Sequence, residues 1–238
     1  MLYMIKITDI HKKFGKVKVL DGINLEINGG GIFAILGPNG SGKTTLIKSI
    51  LGMVIPQSGT IHINNQPVKN QWKYREHIDY LPQIAQFPEN LSVIELIGMI
   101  KNLRGKQSRD QQLIDLFGLN PFLDKKLGNL SGGTKQKVNL VLAFMFDSPL
   151  LILDEPTTGL DPVSLIHLKD LILKEKEAGK TILITTHIMD FVDSMADEIV
   201  FLLEGKIYFK GTVNELKKKS TRNNLEHAIA TILTEENV

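Results

Sequence analysis

The sequence predicts an α/β fold with a parallel sheet, an N-terminal antiparallel β subdomain and an inserted helical subdomain. Three observations predict it. Continuous apolar runs, typical of buried parallel strands, occur at 31–36, 150–153 and 181–184. Apolar residues alternate with polar ones near the N-terminus, as they do in half-buried antiparallel strands. They recur at helical spacing between about 87 and 146, which predicts the helical subdomain.

The first predicted elements are the antiparallel strands. The alternating apolar residues are Tyr3, Ile5 and Ile7, then Ile23, Leu25 and Ile27, then Ile61 and Ile63. The last pair follows a turn over Pro56–Gly59. We expect this N-terminal part to form its own antiparallel sheet.

A glycine-rich loop follows the first apolar strand. It reads GPNGSGKT and fits the pattern G-x-x-x-x-G-K-[ST]. Glycines let backbone N–H groups approach an anion, and the helical spacing after the loop predicts a helix N-terminus that favours negative charge. Lys43 is expected to reach the β- and γ-phosphates of a nucleotide, and Thr44 to supply a hydroxyl to Mg²⁺. The alternative is a glycine turn that binds nothing. The predicted loop residues are Gly37, Pro38, Asn39, Gly40, Ser41, Gly42, Lys43, Thr44 and Thr45.

The helical segment contains a second glycine-rich turn. Apolar stripes occur at Val93, Leu96, Ile97 and Ile100 and at Leu113, Leu116 and Phe117. Leu130-Ser131-Gly132-Gly133 then precedes another helical run, so Ser131 is expected to cap a helix N-terminus that can bind an anion. Taken alone, these residues are more typical of an ordinary helix cap.

Two carboxylates end the apolar run at 150–153. Ligands bind at the carboxyl ends of parallel strands, so Asp154 is predicted to hold Mg²⁺ and Glu155 to polarise a water for attack on the γ-phosphate. The alternative is a helix-capping pair before Pro156. His187 follows the next apolar run and is predicted to bond the γ-phosphate or the attacking water, with a purely structural histidine as the alternative.

The remaining elements complete the predicted fold. A helix is predicted through Leu165, Leu168, Leu171 and Ile172. A hairpin over Ile199–Leu203 and Ile207–Phe209 is predicted to turn at Glu204-Gly205. An amphipathic helix is predicted near Leu225–Leu233, within a C-terminal helical extension at about 212–238. With no internal repeat, residues 1–238 are expected to form a single domain.

Composition excludes several functions. The 28 basic and 26 acidic residues give a net charge of +2, which does not favour nucleic acid as a partner. The chain has no cysteine, which excludes disulfides, zinc–thiolate sites, thiol catalysis and a cysteine-linked lipid. No uninterrupted apolar run reaches the ~18 residues needed to cross a bilayer. We expect a cytoplasmic chain with no direct lipid anchor.

Taken together, the motifs resemble those of the ATP-binding cassette (ABC) family, over nearly the whole chain. Residues 37–44 resemble its Walker A loop, 150–155 its Walker B strand and 130–133 its signature sequence. Gly159-Leu160-Asp161 resembles its D-loop, Gln83 its Q-loop glutamine, His187 its switch histidine and Phe14 the aromatic that stacks on adenine. A buried core phenylalanine is the alternative for Phe14. Thr134 departs from the family, which usually has glutamine there.

The resemblance implies a P-loop NTPase core that binds ATP and Mg²⁺. In the family, two cassettes pair head to tail, and each signature covers the γ-phosphate held by the other cassette. Ser131, Gly132, Gly133 and Asp161 would then contact nucleotide in a homodimer or with a closely related cassette. Gln83 would act in catalysis and as a Mg²⁺ ligand beside Thr44 and Asp154.

The resemblance also implies a transmembrane permease partner. The chain would lie peripherally at the cytoplasmic face of the inner (plasma) membrane. Within the family it resembles subunits of single-cassette exporters and of the transporter that serves nitrous oxide reductase maturation. The alternative is a soluble ABC-type ATPase with a mechanical or regulatory role.

Other phosphate-binding enzymes fit less well. A P-loop kinase needs a lid with several arginines, and the chain has only Arg75, Arg104, Arg109 and Arg222. A GTPase needs an N-K-x-D segment to read guanine, and the sequence contains none.

Overall fold

A computed structural model describes residues 4–219 and residue 229. In chain order its strands and helices are β1 (Ile5–Phe14), β2 (Val17–Ile27), β3 (Gly31–Leu36), α1 (Lys43–Ile50), β4 (Ser58–Ile63), β5 (Gln66–Pro67), β6 (Ile78–Leu81), α2 (Val93–Arg104), α3 (Asp110–Leu116), α4 (Gly132–Phe144), β7 (Leu150–Asp154), α5 (Pro162–Glu177), β8 (Thr181–Thr185), α6 (Met189–Asp193), β9 (Glu198–Leu203), β10 (Lys206–Gly211) and α7 (Val213–Lys219). Short 3₁₀ helices lie at Lys73–His77, Asn120–Phe122 and Leu127–Asn129.

The N-terminal strands form the predicted antiparallel sheet, in the order β2-β1-β4-β5. Ile5 pairs with Ile27 on one side and with Ile63 on the other, so the alternating isoleucines lie side by side on one face. That face is buried because it packs on α1 and on one face of the second sheet. Alternation in the sequence therefore reflects a sheet with one covered and one exposed face.

The second sheet carries the predicted parallel strands, in the order β10-β9-β3-β8-β7-β6. The strands from β9 to β6 run parallel, and β10 pairs antiparallel with β9 at one edge. Every residue of β3, β7 and β8 is buried, as their continuous apolar runs predict. The β9–β10 hairpin turns at Glu204 and Gly205, both with positive φ. This pattern is typical of a two-residue hairpin turn.

The parallel strand β6 was not predicted. Its four residues include Asp79, which interrupts the apolar run that marks the other strands. Asp79 is nevertheless buried, because Arg104 of α2 reaches it with Nη2 at 2.6 Å from Oδ1. Burial raises the pKa of this carboxyl, and Arg104 opposes the rise.

Helices cover the other face of the second sheet. The helical segment predicted at about 87–146 contains α2, α3 and α4, whose apolar residues share one core with β7, β8 and α5. Ser92 and Glu95 form a capping box that starts α2. The bounds of a separate helical subdomain stay a prediction.

The C-terminal extension is described only in part. Val213 and Leu216 of α7 pack against β9 and α6 together with Ile229, which is buried. Apart from Ile229, the amphipathic helix predicted at 225–233 lies outside the described residues. Among the residues that the structure describes, no helix is long and apolar enough to cross a membrane.

Candidate functional site

The glycine-rich loop joins the central strand β3 to the N-terminus of α1, as predicted. Two of its glycines, Gly37 and Gly42, are required by close backbone approaches at positive φ. A Cβ on Gly37, at φ 155°, would lie 2.0 Å from the carbonyl oxygen of Leu202. A Cβ on Gly42, at φ 107°, would lie 2.6 Å from the carbonyl oxygen of Val19. No other residue fits these positions without moving the backbone.

Lys43 is buried inside this loop. Its Nζ donates to the carbonyl oxygens of Gly37, at 2.7 Å, and Pro38, at 3.1 Å. Burial lowers the pKa of this ammonium group, and the carboxylates of Glu155 and Asp154 oppose the fall. The loop therefore wraps around a positive charge that faces two carboxylates.

Asp154 ends β7 beside that loop. Thr44 Oγ1 lies 3.4 Å from its Oδ1, and the buried hydroxyl of Thr185 donates to the same oxygen. Its other oxygen, Oδ2, is buried and has no hydrogen-bond partner within the described part of the chain. Because β7 and β8 pair in parallel with Asp154 opposite Thr185, these groups meet at the edge of the sheet that the carboxyl ends of the strands form. The sequence did not single out Thr185, since it reads as the last residue of an apolar strand.

Glu155 has an unusual backbone for a residue with a side chain, at φ 51°. Its N–H donates to the carbonyl oxygen of Thr185 at 3.0 Å and to the hydroxyl of Thr185 at 3.1 Å. Its carboxylate is buried, with Oε2 2.9 Å from Nδ1 of His187. His187 is itself largely exposed, so the pair faces solvent through the imidazole.

The capping alternative for the two carboxylates is wrong. The residues after Pro156 form turns, and the next helix, α5, begins only at Pro162. Its cap is Asp161, which accepts from the N–H and the hydroxyl of Ser164, both at 2.9 Å. Lys137 of α4 also contacts Asp161, with Nζ 2.7 Å from Oδ2, and these contacts hold the pKa of Asp161 well below its usual range.

Ser131 caps α4, as predicted. Its Oγ accepts from the N–H of Thr134 at 3.3 Å and lies 2.9 Å from the hydroxyl of Thr134. Ser131 and Gly132 are exposed, so the start of α4 is open to a ligand. Thr134, the departure noted above, is thus bonded directly to Ser131.

Phe14 and Gln83 lie at the surface. Phe14 ends β1 with 52% of its area exposed, so the alternative of a core phenylalanine is wrong. Lys12 Nζ lies 4.9 Å from the centre of its ring. Gln83 follows β6 and is exposed; because Leu81 of β6 pairs with Leu153, it leaves the sheet beside Asp154 and Glu155.

The site fits a nucleotide with Mg²⁺. Three buried side-chain oxygens in the glycine-rich loop and in residues 154–157 lack a hydrogen-bond partner among the described residues: Ser41 Oγ, Asp154 Oδ2 and Thr157 Oγ1. In the part of the chain that the structure describes, no group of three or more His, Cys, Asp or Glu side chains could hold a metal by itself. Mg²⁺ is commonly bound by one or two carboxylates together with substrate phosphates, which is what Asp154, Thr44 and the loop offer.

Comparisons with known proteins agree with this geometry. The family model described as "ABC transporter" matches residues 20–158. The uncharacterized ABC transporter ATP-binding protein YhaQ of Bacillus subtilis is 32% identical over 93% of this chain and 76% of its own length. The daunorubicin/doxorubicin resistance ATP-binding protein DrrA of Streptomyces peucetius is 33% identical over 92% of this chain and 68% of its own length.

Solved structures show the same fold. An ATP-binding subunit of an ABC transporter superposes with a TM-score of 0.89 at 29% identity, covering 98% of this chain and 100% of that one. A dimeric ATP-binding cassette with ADP and Pi, in a post-hydrolysis state, superposes with a TM-score of 0.79 at 25% identity, covering 87% of this chain and 98% of that one.

The motifs, their positions in the fold and these relatives lead to one assignment. The loop that holds Lys43, the carboxylates after β7 and the capped start of α4 occur in one chain whose fold matches solved cassettes along almost its full length. The chain belongs to the ABC transporter family, as an ATP-binding cassette with ATPase activity that serves transport.

Proposed function

We propose that this chain hydrolyses ATP in a homodimer, or paired with a closely related cassette, and thereby drives a separate transmembrane permease. One observation carries the proposal. The phosphate loop with Lys43, the Thr44 hydroxyl and the two carboxylates at the end of β7 meet at the edge of the sheet formed by the carboxyl ends of its parallel strands, where buried oxygens lack partners among the described residues. Such an edge is where parallel sheets bind ligands.

The loop residues would hold the triphosphate. The N–H groups of residues 37–45 would point at the phosphates, and Lys43 would exchange two carbonyl oxygens for β- and γ-phosphate oxygens. Phe14 is exposed enough to stack on adenine. Thr44, Asp154 and Gln83 would hold Mg²⁺, which when bound neutralises charge that develops on the phosphates.

Glu155 would act as the base. Its carboxylate would accept a proton from the water that attacks the γ-phosphorus as the bond to the β–γ bridging oxygen breaks. His187 contacts that carboxylate at 2.9 Å and is exposed, so it would orient the carboxylate and bond the γ-phosphate. The backbone bonds from Glu155 to Thr185 would keep its side chain directed at the phosphate edge.

The second chain would complete each site. Ser131, Gly132 and Gly133 start α4 and are at least partly exposed, so they can contact the γ-phosphate held by a partner's loop. Asp161 caps α5, a few residues after Glu155, and would face the dimer interface. The relative solved as a dimer with ADP and Pi supports this pairing.

A groove beside the site offers a place for the permease. A cavity of about 350 Å³ lies between β6, α2 and α4, and its lining includes Met53, Tyr80, Pro82, Phe87 and Ile100. Met53, which lines it, is 59% exposed, and two apolar residues that are close in the chain to lining residues, Ile84 and Leu103, are each 76% exposed. Since Gln83 lies between Pro82 and Ile84, we propose that an apolar segment of the permease docks here and couples to the nucleotide through Gln83.

Export is the direction that the relatives favour. DrrA is named for daunorubicin/doxorubicin resistance, and a relative from Burkholderia lata, 32% identical over 87% of this chain and 70% of its own length, is named a Nod factor export ATP-binding protein. These names favour a transport role over a mechanical or regulatory role without transport. The chain would then work at the cytoplasmic face of the membrane, with the permease as its attachment. The resemblance to the nitrous oxide reductase maturation transporter stays a prediction.

Replacing Glu155 with glutamine tests the proposal. Glutamine keeps the shape and the backbone and removes the base, so we expect phosphate release to fall roughly 10²–10⁴-fold. ATP binding should persist, and the variant should accumulate as an ATP-bound dimer. Phosphate release, nucleotide titration and light scattering of the purified full chain measure the three effects.

A matched control is Glu177→Gln, which neutralises an exposed glutamate at the end of α5. It should keep wild-type turnover. If Glu155→Gln hydrolyses ATP at the rate of this control, Glu155 is not the base. If it binds ATP and Mg²⁺ yet stays monomeric, the two-chain site is wrong.

A further inference from the structure

The start of α4 is bonded to the loop that follows Glu155. We call residues 156–161 the post-Glu155 loop; it runs from Pro156 to the α5 cap, Asp161. Gln136 is buried in the second turn of α4, and its Nε2 donates to the carbonyl oxygen of Pro156 at 3.0 Å. This carbonyl belongs to the residue directly after Glu155.

Two further contacts join the same elements. Lys137 Nζ lies 2.7 Å from Oδ2 of Asp161, at the far end of the loop. Between these ends, a Cβ on Gly133 would lie 2.9 Å from the carbonyl oxygen of Gly159, so backbone packs directly on backbone. The loop is therefore held at both ends and in its middle by the first two turns of α4.

This attachment makes the backbone of Glu155 sensitive to the position of α4. Glu155 has φ 51°, a conformation that surrounding contacts must maintain. On its N-terminal side the contact is Thr185, which accepts from the Glu155 N–H. On its C-terminal side the contact is Gln136. A shift of α4 would move the second contact and leave the first in place.

We propose that Gln136 and Lys137 are positioning residues that link the signature turn of a chain to Glu155 of the same chain. This rests on the proposed function, in which Ser131 contacts the nucleotide bound to the partner while Glu155 acts on the nucleotide bound to its own chain. Contact of Ser131 with the partner's nucleotide would set the position of α4. Through Gln136 and Lys137 it would then set the orientation of Glu155, so each site would sense whether the other is filled.

Heterodimers with a single active site test the link. Two differently tagged full-length chains are mixed, and the mixed dimer is purified through both tags. The first chain keeps Glu155, and the second carries Glu155→Gln. Only the site formed by Glu155 of the first chain and Ser131 of the second can then turn over. Lys137→Met is placed in one chain or the other, and Lys174→Met, at an exposed position on α5, is the matched control.

The proposal predicts an asymmetric result. Lys137→Met in the first chain should lower kcat about fivefold, the size expected for loss of a partly exposed ion pair that transmits coupling, with KM for ATP unchanged. In the second chain it should have little effect, because that chain supplies only Ser131 to the active site. Gln136→Met, which removes the buried amide and keeps the length of the side chain, should give the same asymmetry with a larger loss.

Other outcomes overturn the proposal. A loss only when Lys137→Met is in the second chain would mean that Lys137 shapes the signature turn for direct contact. An equal loss in either chain would mean a general structural role, and no loss in either would mean no link. Failure of the proposed function is distinguishable, because the parent heterodimer with Lys137 intact would then fail to form on ATP or fail to hydrolyse it.

Discussion

At the scale of single residues, Thr185 contacts both acidic residues, Asp154 through its carboxylate and Glu155 through its backbone N–H. Its hydroxyl donates to Asp154 and accepts from the Glu155 N–H, and its own carbonyl oxygen accepts from the same N–H. One fully buried threonine thus holds both Oδ1 of Asp154 and the backbone of Glu155, whose φ is positive. The other oxygen of Asp154 has no partner among the described residues, and it lies where a cation is expected.

Thr185→Val should therefore damage both stability and activity. Valine keeps the shape of the side chain but removes the hydroxyl that donates to the buried Oδ1 of Asp154, while the Glu155 N–H keeps the backbone carbonyl of residue 185. Loss of a hydrogen bond to a buried charged group costs about 1–3 kcal/mol, so we expect the free energy of unfolding to fall by roughly that amount. Urea denaturation of the nucleotide-free chain measures it, and ATP turnover should fall in parallel.

Thr185→Ser is the matched control, because it keeps the hydroxyl and loses one methyl group. It should retain most of the turnover, with a loss of about 1 kcal/mol in unfolding free energy from the small void. If the valine variant is as stable and as active as the serine variant, the hydroxyl does not hold Asp154 and Glu155 in place.

The residues of the sequence motifs could be predicted at this scale, but the residues that hold them in place could not. Lys43, Asp154 and Glu155 stand out because a glycine-rich loop or a continuous apolar run precedes each of them, a pattern that favours a phosphate site over the structural alternatives. Gln136 and Thr185 do not stand out, since a helical glutamine and a strand threonine are common. Their importance comes from which backbone groups the fold brings to them, and that is a tertiary property.

At the scale of elements, the helices are joined to one another around the buried charge of Glu175. Arg109, which precedes α3, donates through Nε to the carbonyl oxygen of Phe144 at 2.8 Å and contacts Glu175 of α5 through Nη2. Lys180 contacts the other oxygen of Glu175 at 2.5 Å and Asp147 at 2.6 Å. The side chain of Glu175 is only 2% exposed, so its charge depends on both cations.

Replacing Arg109 with methionine should loosen this network. Glu175 would keep one cation and lose the other while still buried, and the carbonyl of Phe144 would lose a donor. Removing one partner of a buried charge is strongly destabilising, and we expect a loss of roughly 3 kcal/mol in the free energy of unfolding. Chemical denaturation monitored by circular dichroism would measure it.

Lys176→Met is the matched control, because Lys176 lies next to Glu175 on α5. Lys176 pairs with Asp197 at 2.6 Å, with both side chains partly exposed, and such a pair contributes less than about 1 kcal/mol. An Arg109 variant that costs no more than the Lys176 variant would show that the buried network does not hold α3 to α5.

The parallel strands that the sequence predicted from continuous apolar runs share one physical property. Strands β3, β7 and β8 are buried on both faces, so burial alone accounts for their apolar runs. Strand β6 lies at the edge of the sheet and carries Asp79, whose burial depends on Arg104 25 residues later in the chain. The hydrophobic pattern of a few neighbouring residues does not show that Asp79 will pair with Arg104, so β6 was not predicted.

At the scale of the whole molecule, the surface proposed to bind the permease, the groove between β6, α2 and α4, is separate from the catalytic residues. Leu103 and Ile84 are exposed close to it, whereas the catalytic edge lies at the ends of β7 and β8. A monomeric soluble protein seldom exposes several large apolar side chains around one groove without a partner. Attachment to a permease and hydrolysis of ATP should therefore be separable by mutation.

Leu103→Asp should separate them. The side chain is 76% exposed, so the substitution leaves the fold intact, but it places a charge beside the surface proposed to receive an apolar segment. Turnover of the purified chain should stay within about twofold of wild type, since surface changes away from the site have small effects. Co-purification with the co-expressed membrane subunit of the same transporter should be lost.

Leu173→Asp gives the control, because it adds the same charge at another exposed leucine, on α5, a helix that contributes no residue to the groove. It should keep both turnover and co-purification. Flotation with liposomes tests whether attachment needs the permease. The wild-type chain should stay with the protein fraction when the vesicles lack the permease, and it should move with the vesicles when they contain it. Binding of the chain to permease-free vesicles, or co-purification that survives Leu103→Asp and fails with Leu173→Asp, would move the attachment surface away from this groove.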